Sequence, residues 1–494
     1  MKNVHVVVEK NIRNAVSMNN KKCCMCDRIV YEGPKCIFHC AKDTWLRNKQ
    51  WDENKCRDFW YEYGDVVSDF YTKEVDLSNT IFPHYLIGDP NLIFPVDMYD
   101  PEGLGREDPY VTFYRPINFS GSIFLGKVDF QFYKFKGVNF KDVIFIEDVS
   151  FKNCIFDQEE NIIKKDPRDN QSTYIPAEPM ESAFTNASFF TNVDFRNSKF
   201  SSSVSFNNAA IIKDIIFTDV TFKNKVTFHN LNRRLKLNKS KFIFNNTKFL
   251  KLADFWNASF FNISFNKTDF EEIVVFTDTI FLTYFAFKYT RFEKQLIFNR
   301  TKIMDGFDLY EAIFSSGNVV FTDIKFQGQA KHKETYRLIK FLLEKRANYI
   351  EADDYYVREM KMYRKESFSK NKLNWILLAF GKVISNYGNS WILPVFWMIF
   401  SSLMIFFYMY LHEFTKFSLL SLSWMEPENI NIFPPFIECL SSKEFLNFLN
   451  PFSRGTIDNG SVFSNYYWAW SSQKIISAIG MYHLIVALKR KTRR

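Results

Sequence analysis

The sequence is poor in glycine and proline, with 16 and 15 copies among 494 residues. Collagen-like and disordered chains are rich in these residues, so both classes are excluded. The chain also lacks a glycine-rich phosphate loop, a nucleophile elbow and an HExxH motif, which indicate common nucleotide-binding and hydrolytic sites. No acid, base and nucleophile stand at an informative spacing, and we therefore predict that the protein is not an enzyme.

Phenylalanine is abundant, with 57 copies, and many of them end a three-residue unit of small residue, any residue and Phe. From Phe255 to Phe298 the recurring Phe positions are five or six residues apart. In a helix such steps scatter the rings around the axis, whereas in an extended chain the small residue and Phe point to the same side. A fixed short period over such a length predicts a β-solenoid, in which each coil buries its apolar side chains against its neighbours.

Units such as Val204-Ser205-Phe206 and Ala253-Asp254-Phe255 resemble the pentapeptide-repeat family, whose five-residue unit has a small residue two positions before a central Leu or Phe. The resemblance implies a mainly β fold, a right-handed quadrilateral β-helix in which each unit forms one side of a square coil. We expect six-residue steps to add a residue at a corner. We expect two proline-containing stretches, near 88–116 and 157–181, to leave the coil as loops.

A cysteine cluster lies near the N-terminus. Cys23 and Cys26 form a CxxC pair, and Cys36 with either His39 or Cys40 would supply the other half of a tetrahedral zinc site. Thiols stay reduced in the cytoplasm, which favours a metal over disulfides. A similar Cys-Ile-Phe-His-Cys stretch occurs in the heads of some pentapeptide-repeat proteins. We predict structural Zn²⁺, with metal-free thiols and redox sensing as the alternatives.

Two apolar runs lie in the last quarter of the chain. Residues 391–411 carry no charge over 21 positions, enough to cross a bilayer as a helix. Residues 466–488 are also of spanning length and open with an aromatic belt, but Lys474 and His483 interrupt them. We interpret Lys474 as reaching the interface and His483 as facing a protein neighbour; a polar path or proton sensing by His483 is the alternative.

Basic residues precede the first run and follow the second run, while the segment between the runs, 413–465, has few of them. The positive-inside rule therefore predicts an integral protein of the inner (cytoplasmic) membrane with two spans, whose termini and solenoid are cytoplasmic. The first sixteen residues lack the apolar core of a secretory signal, in agreement with that orientation. The net charge of +9 is concentrated beside the apolar runs, so nucleic acid is not the expected partner.

The sequence thus predicts four parts. They are a Cys/His-rich cap at 1–75, a repeat solenoid at 76–329, an amphipathic helical linker at 330–372 with a helix over 334–367, and a membrane domain at 373–494.

This organisation predicts a membrane-tethered scaffold, whose partners are the lipid bilayer and a cytoplasmic protein. The alternative is an oligomeric effector or channel-like subunit, gated through the solenoid, in bacterial defence or stress response. Some soluble pentapeptide-repeat proteins bind topoisomerases by imitating DNA, but that role needs a strongly negative surface and this chain is basic.

Overall fold

The structure is a computed structural model. It describes residues 36–47, 50–68, 75–83, 110–113, 115–157, 161–165, 172–176, 183–233, 239–315, 318–423, 436–441, 443–450 and 466–492. The chain divides into two compact units, Met1–Lys331 and His332–Arg494. The first unit contains the described strands, and the second contains helices.

The first unit is a parallel β-solenoid with four faces, each a stack of short strands from successive coils. Face one consists of Val75–Asp76, Ile117–Asn118, Val138–Asn139, Val204–Ser205, Val226–Thr227, Ala253–Asp254, Val274–Thr277, Leu296–Asn299 and Val319–Thr322. Face two consists of Ile81–Phe82, Ile123–Phe124, Ile144–Phe145, Ser188–Phe189 and Ala210–Ile211, then the first residues of Ser259–Asn266 and of Ile280–Lys288, then Lys302–Ile303 and Lys325–Phe326. The solenoid predicted from the repeat is confirmed.

The two remaining faces complete each coil. Face three consists of Val128–Asp129, Val149–Ser150, Val193–Asp194, Ile215–Ile216, Lys241–Asn245, the later residues of Ser259–Asn266 and of Ile280–Lys288, and Gly306–Asp308. Face four consists of Val111–Phe113, Tyr133–Phe135, Ile155–Phe156, Lys199–Phe200, Thr221–Phe222, Lys248–Phe249, Asp269–Phe270, Arg291–Phe292 and Ile313–Phe314. Ser259–Asn266 and Ile280–Lys288 are long because each continues from face two into face three.

The interior is filled by columns of stacked Phe rings. On face four, ring centroids of successive coils lie 4.6 to 5.5 Å apart and the rings are nearly parallel. This column contains Phe113, Phe135, Phe156, Phe200, Phe222, Phe249, Phe270, Phe292 and Phe314. Each ring replaces water contacts with contacts to the coils on both sides, which gives the solenoid its stability.

The corners explain why steps of five and six residues alternate. From Phe265 to Ile303, each five-residue step crosses one residue in the left-handed conformation, such as Lys267 (φ 53°) or Asp278 (φ 57°). Each six-residue step crosses a corner without such a residue. Most left-handed corners elsewhere are Asn or Asp, which tolerate this conformation better than other residues with a side chain. The extra residue therefore belongs to the corner, as expected.

The small-residue position of the repeat also forms hydrogen bonds between coils. Thr268 Oγ1 donates to the Phe244 carbonyl oxygen at 2.9 Å, and Thr279 Oγ1 donates to that of Phe255 at 2.8 Å. Both threonines are fully buried. A buried hydroxyl without a partner is destabilising, so these bonds make Thr acceptable in the apolar interior.

Two predicted loops differ from expectation. Within 157–181, Asn161–Lys165 and Ser172–Pro176 form an antiparallel hairpin, so this interruption of the coil is not only a loop. Near 88–116, Val111–Phe113 already belongs to face four, and the predicted loop is too long at its C-terminal end. The predicted loop included the Val111-Thr112-Phe113 unit because prolines stand on both sides of it.

The first coil is covered by helix α1, Glu53–Ser68. Its Phe59, Trp60 and Tyr63 are buried, and their ring centroids lie 5.6, 6.2 and 6.0 Å from that of Phe82 on face two. A 3₁₀ turn at Asp43–Trp45 and an antiparallel pair, Leu46–Arg47 with Gln50–Trp51, precede this helix. The apolar end of the Phe columns is thereby shielded from water.

The second unit contains the helices α2 (Lys333–Lys345), α3 (Tyr349–Lys370), α4 (Lys372–Ser385), α5 (Ile392–Ser423), α6 (Phe436–Leu440), α7 (Lys443–Leu449) and α8 (Tyr467–Lys491). The single helix predicted over 334–367 is wrong, since it is broken between α2 and α3. Ala347 adopts a left-handed conformation there (φ 58°), and the Asn348 side chain accepts a hydrogen bond from the Glu351 amide as the cap of α3.

Candidate functional site

Two of the predicted zinc ligands lie together at the head of the solenoid. Cys36 Sγ is 3.0 Å from His39 Nδ1, and His39 Nε2 is 3.3 Å from the Ser78 carbonyl oxygen in the first coil. The hydrogen bond with Cys36 raises the pKa of His39. Zn²⁺ holds sulfur and nitrogen ligands about 3.5 Å apart at tetrahedral angles, so a small outward shift of this pair would accommodate the metal.

Cys40, another predicted ligand, has a different neighbour. Its sulfur lies 3.2 Å from Lys42 Nζ, which also donates to the carbonyl oxygens of Ile37 at 2.6 Å and of Cys40 at 2.9 Å. Lys42 is almost fully buried and its ammonium group also lies 4.6 Å from the ring centre of Trp45. A cation beside the Cys40 sulfur opposes a metal ion there, while the choice between His39 and Cys40 as a zinc ligand stays open.

The remaining predicted ligands, Cys23 and Cys26, lie outside the described residues. Within the residues that the structure describes, no group of three or more His, Cys, Asp and Glu side chains is arranged to hold a metal ion. The zinc site stays a prediction, with the Cys36 and His39 pair as its best supported half.

A polar site that sequence reasoning missed lies on face one. His229 Nε2 is 2.9 Å from Asp254 Oδ2, and the His229 ring packs edge to face with Trp256 at a centroid distance of 5.6 Å. A cavity of about 90 Å³ beside them is lined by Ser203, Val204, Asn207, Lys225, Thr227 and His229. Hydroxyl, amide and ammonium groups at one cavity can accept a polar side chain of a partner.

Elsewhere on the solenoid surface, acidic and basic side chains form ion pairs. Asp194 on face three lies 2.7 Å from Arg196 Nη2 and 3.4 Å from Lys152 Nζ. Burial alone would raise the pKa of Asp194, but hydrogen bonds and charge from Arg196 lower it below its ordinary value. Arg300 and Asp278 form a similar pair between neighbouring coils at 2.7 Å. Such mixed charge differs from the uniformly negative surface that imitation of DNA requires.

One described helix is long and apolar enough to cross a membrane. The candidate span is Ile392–Lys416, 25 residues of α5 with a mean hydropathy of 2.0. This agrees with the first predicted span at 391–411. Helix α8 covers the second predicted span, 466–488, except for residue 466, but among the described helices only α5 meets the hydropathy of a membrane span. Whether α8 crosses the membrane therefore stays a prediction.

Helices α5 and α8 pack closely through small and polar residues. Gln473 Nε2 donates to the Ser402 hydroxyl, to the Ser477 hydroxyl at 3.1 Å and to the Met398 carbonyl oxygen at 3.4 Å. A Cβ at Gly480 would lie 2.4 Å from Met398 Cγ, so only glycine fits there without a shift of Met398. Small residues at close contacts and polar bonds between helices are typical of packing within membranes.

The two polar residues of the second run have partners in this unit. Lys474 Nζ donates to the carbonyl oxygens of Asn447 and Asn450, at the end of α7. His483 Nδ1 is 3.1 Å from the Ser385 hydroxyl at the end of α4. His483 thus faces a protein neighbour, as interpreted. Lys474 binds backbone oxygens of its own chain, an arrangement that its sequence position did not indicate.

The basic C-terminal end of α8 lies beside the turn that precedes α5. Arg490 Nη1 donates to the Tyr387 carbonyl oxygen at 2.9 Å, and its guanidinium lies 4.3 Å from the ring centre of Tyr356. The other end of the pair is joined by an apolar cluster that includes Phe406 of α5 and Phe448 of α7. The helices are therefore antiparallel, and their basic flanks lie at the same end.

The first unit belongs to the class of four-sided parallel β-solenoids. The features that define this class here are stacked parallel strands, columns of inward Phe rings and left-handed corners. The family model described as pentapeptide repeats matches residues 111–159 and 184–231, in nine copies. These segments are pentapeptide repeats, and they form part of the solenoid. A search of curated proteins and a search of solved structures gave no match.

Proposed function

We propose that the protein is a membrane-tethered scaffold, whose solenoid presents its outer faces to a cytoplasmic protein. The observation that carries this proposal is the presence, in one chain, of a pentapeptide-repeat solenoid and a candidate membrane span. The solenoid interior is filled by Phe rings, so binding surfaces are to be sought on its outside.

The proposed tether is a hairpin of two spans, α5 and α8. Its support is the antiparallel packing of these helices through Gln473 and Gly480 and the bond from Arg490 to the Tyr387 carbonyl oxygen. This bond brings the basic tail to the end of α5 that follows the basic segment 361–382. Under the positive-inside rule, basic flanks at one end of a hairpin favour the cytoplasm for that end.

The proposed interaction surface is face one around His229. Its support is the cavity of about 90 Å³, lined by Lys225, Thr227 and other polar residues, next to the exposed ring of Trp256. Aromatic residues beside polar groups are common at protein interfaces. In the proposed head, Zn²⁺ bound through Cys36 and His39 would stabilise the end of the solenoid without a chemical role.

The alternative is an oligomeric, channel-like effector, favoured by one observation in the helix pair. Gln473 Oε1 is buried and has no hydrogen-bond partner among the described residues, although the two hydrogens on its amide nitrogen have three acceptor oxygens within reach. A polar oxygen without a partner is costly in lipid, and a rearrangement of the helix pair on assembly could give it one. This alternative predicts a pore that depends on assembly.

Crosslinking in cells tests the scaffold. A photoreactive residue replaces Asp254 on face one or, as the matched control, Ser264 on face three; both positions are partly exposed. We expect one protein to crosslink from position 254 and not from position 264. Failure to crosslink any protein from either position, or from further positions on faces two and four, would contradict the proposal.

Ion leakage from liposomes separates the scaffold from the effector. The full chain is reconstituted, and a chain that ends at Tyr387 serves as the blank because it lacks both proposed spans. Tight liposomes are expected of a tether. Leakage that requires the full chain and disappears in Gln473→Leu would favour the effector instead.

A further inference from the structure

Helix α4 exposes a continuous apolar row. Its members are Leu373, Ile376, Leu377, Phe380 and Val383, whose exposed fractions are 73, 42, 69, 63 and 51%. At about 100° per residue, these positions span an arc of about 120° on the helix surface. An exposed apolar row of this size on a helix indicates a surface that binds a membrane or another protein.

The other side of α4 is already packed within its own unit. Trp375 contacts the ring of Phe368 at 5.6 Å, and the Ser385 hydroxyl is 3.1 Å from His483 Nδ1. The apolar row is therefore the side of an otherwise anchored helix that faces away from the unit.

Basic residues lie near both ends of α4. Between 361 and 382 the chain has six Lys and Arg residues and one acidic residue, Glu366, so the net charge of this segment is +5. Lys370 is the last residue of α3, Lys372 is the first residue of α4, and Lys382 stands in the last turn of α4. A helix with an apolar row and lysines outside that row is complementary to a bilayer with anionic headgroups.

The position of α4 relative to α5 agrees with the level of the headgroups. Trp397, in the second turn of α5, donates from Nε1 to the Val383 carbonyl oxygen at 2.9 Å. The connecting turn is short, with Asn386, Tyr387 and Gly388 all in the left-handed region. The last turn of α4 thus lies beside the first turns of the candidate span, where a membrane interface would be.

We propose that α4 is an interfacial helix, whose apolar row lies in the acyl region of the cytoplasmic leaflet while its lysines contact anionic lipid headgroups. This proposal rests on the proposed membrane tether and adds a lipid-binding surface to it. The helix would fix the orientation of the segment that joins the solenoid to the span.

Depth-dependent quenching tests this placement in the full chain. An environment-sensitive fluorescent amino acid is introduced at Leu377, at Met404 or at Lys361, one position per protein, and each protein is reconstituted in nanodiscs. The lipids carry bromine either near the headgroup or near the chain end. Met404 reports on the candidate span because it is 53% exposed, and Lys361 is an exposed control on α3.

We expect the probe at 377 to be quenched by lipids brominated near the headgroup, the probe at 404 by lipids brominated near the chain end, and the probe at 361 by neither. Quenching at 404 without quenching at 377 overturns the interfacial helix and leaves the tether intact. Absence of quenching at 404 refutes the tether itself. A probe at 377 that is shielded from water but not quenched assigns the row to a protein contact and also overturns the proposal.

The charge component has its own test. Quenching at 377 should increase at least about twofold when phosphatidylglycerol replaces part of the phosphatidylcholine, because basic residues are attracted to anionic lipid. Lys370→Gln, Lys372→Gln and Lys382→Gln together should abolish that increase and leave quenching at 404 unchanged. An increase that persists in the triple variant contradicts the assigned role of the lysines.

Discussion

The Phe columns can be tested at Phe228, the central ring of face one. This residue is fully buried, and its ring stacks on Phe206 at 5.0 Å and on Phe255 at 4.8 Å. The rings of Phe217 and Phe244 pack against it in T-shaped geometry, with centroid distances of 6.3 and 6.2 Å. Phe228→Ala therefore removes contacts to two coils and leaves a cavity that the stacked strands cannot close.

The expected cost is about 3 to 5 kcal/mol, as for other buried Phe residues replaced by Ala. Because each coil contacts only its neighbours, the loss should concentrate in the adjacent coils. At a tenfold change per 1.4 kcal/mol, the equilibrium for local opening should rise by roughly a hundred- to several-thousand-fold. The helical unit and the first coils should be unaffected.

Amide hydrogen exchange of the full chain in detergent measures this effect by mass spectrometry of peptides. Peptides that contain Val204–Ser205 and Ala253–Asp254 should exchange faster in the variant, while those that contain Val75–Asp76 should not change. Ile313→Ala is the control because Ile313 is 52% exposed, and its effect should stay within about 0.5 kcal/mol. Exchange in the coils beside Phe228 that changes less than about threefold would refute the role of the stacked column.

Three further predictions concern hydrogen bonds, charge and helix packing. Thr268→Val should lower the free energy of unfolding of the solenoid by about 1 kcal/mol in denaturant titrations, since it deletes a buried bond to a carbonyl oxygen one coil earlier, while Thr268→Ser should retain most of it. Arg196 lowers the pKa of Asp194 in the fold, so the stabilisation is present above the ordinary Asp value and is lost as pH falls through the lowered value. Between about pH 5 and pH 2, the free energy of unfolding should therefore fall less in Asp194→Asn than in the unaltered chain. If the free energy of unfolding falls equally with pH in both proteins, the pairing of Asp194 with Arg196 is contradicted. Gly480→Leu should lower the thermal midpoint in detergent by several degrees because it forces α8 away from α5, whereas Ile479→Leu, at the exposed neighbouring position, should not.

The solenoid could be predicted from sequence because its signal is local. Whether a side chain points inward depends on its own place in a five- or six-residue step, as at Phe270 and Phe276. The hairpin within 157–181 follows no such period, and its strands are stabilised by each other. The break at Ala347 is not marked by Gly or Pro, and alanine is a strong helix former. The signal that the sequence does contain is Asn348 with Glu351 three residues later, the pattern of a helix N-cap.

The candidate sites were only partly predictable for a related reason. Cys36 and His39 are three residues apart, so their proximity follows from local geometry. His229 and Asp254 are 25 residues apart and meet only because their coils are stacked neighbours. The length of that coil includes residues outside the regular repeat, so no spacing rule in the sequence aligns the two side chains. The carbonyl partners of Lys474 likewise depend on how α7 packs on α5 and α8.

Membrane topology tests the central claim most directly. A protease site is inserted within 424–435, between α5 and α8, and an epitope tag is added at the C-terminus of the full chain expressed in bacterial spheroplasts. With two spans and a cytoplasmic solenoid, external protease should cut the inserted site and leave the tag and the solenoid intact until the membrane is permeabilised. Digestion of the tag together with the inserted site would show a single span, and protection of both in a carbonate-extractable protein would contradict the membrane tether.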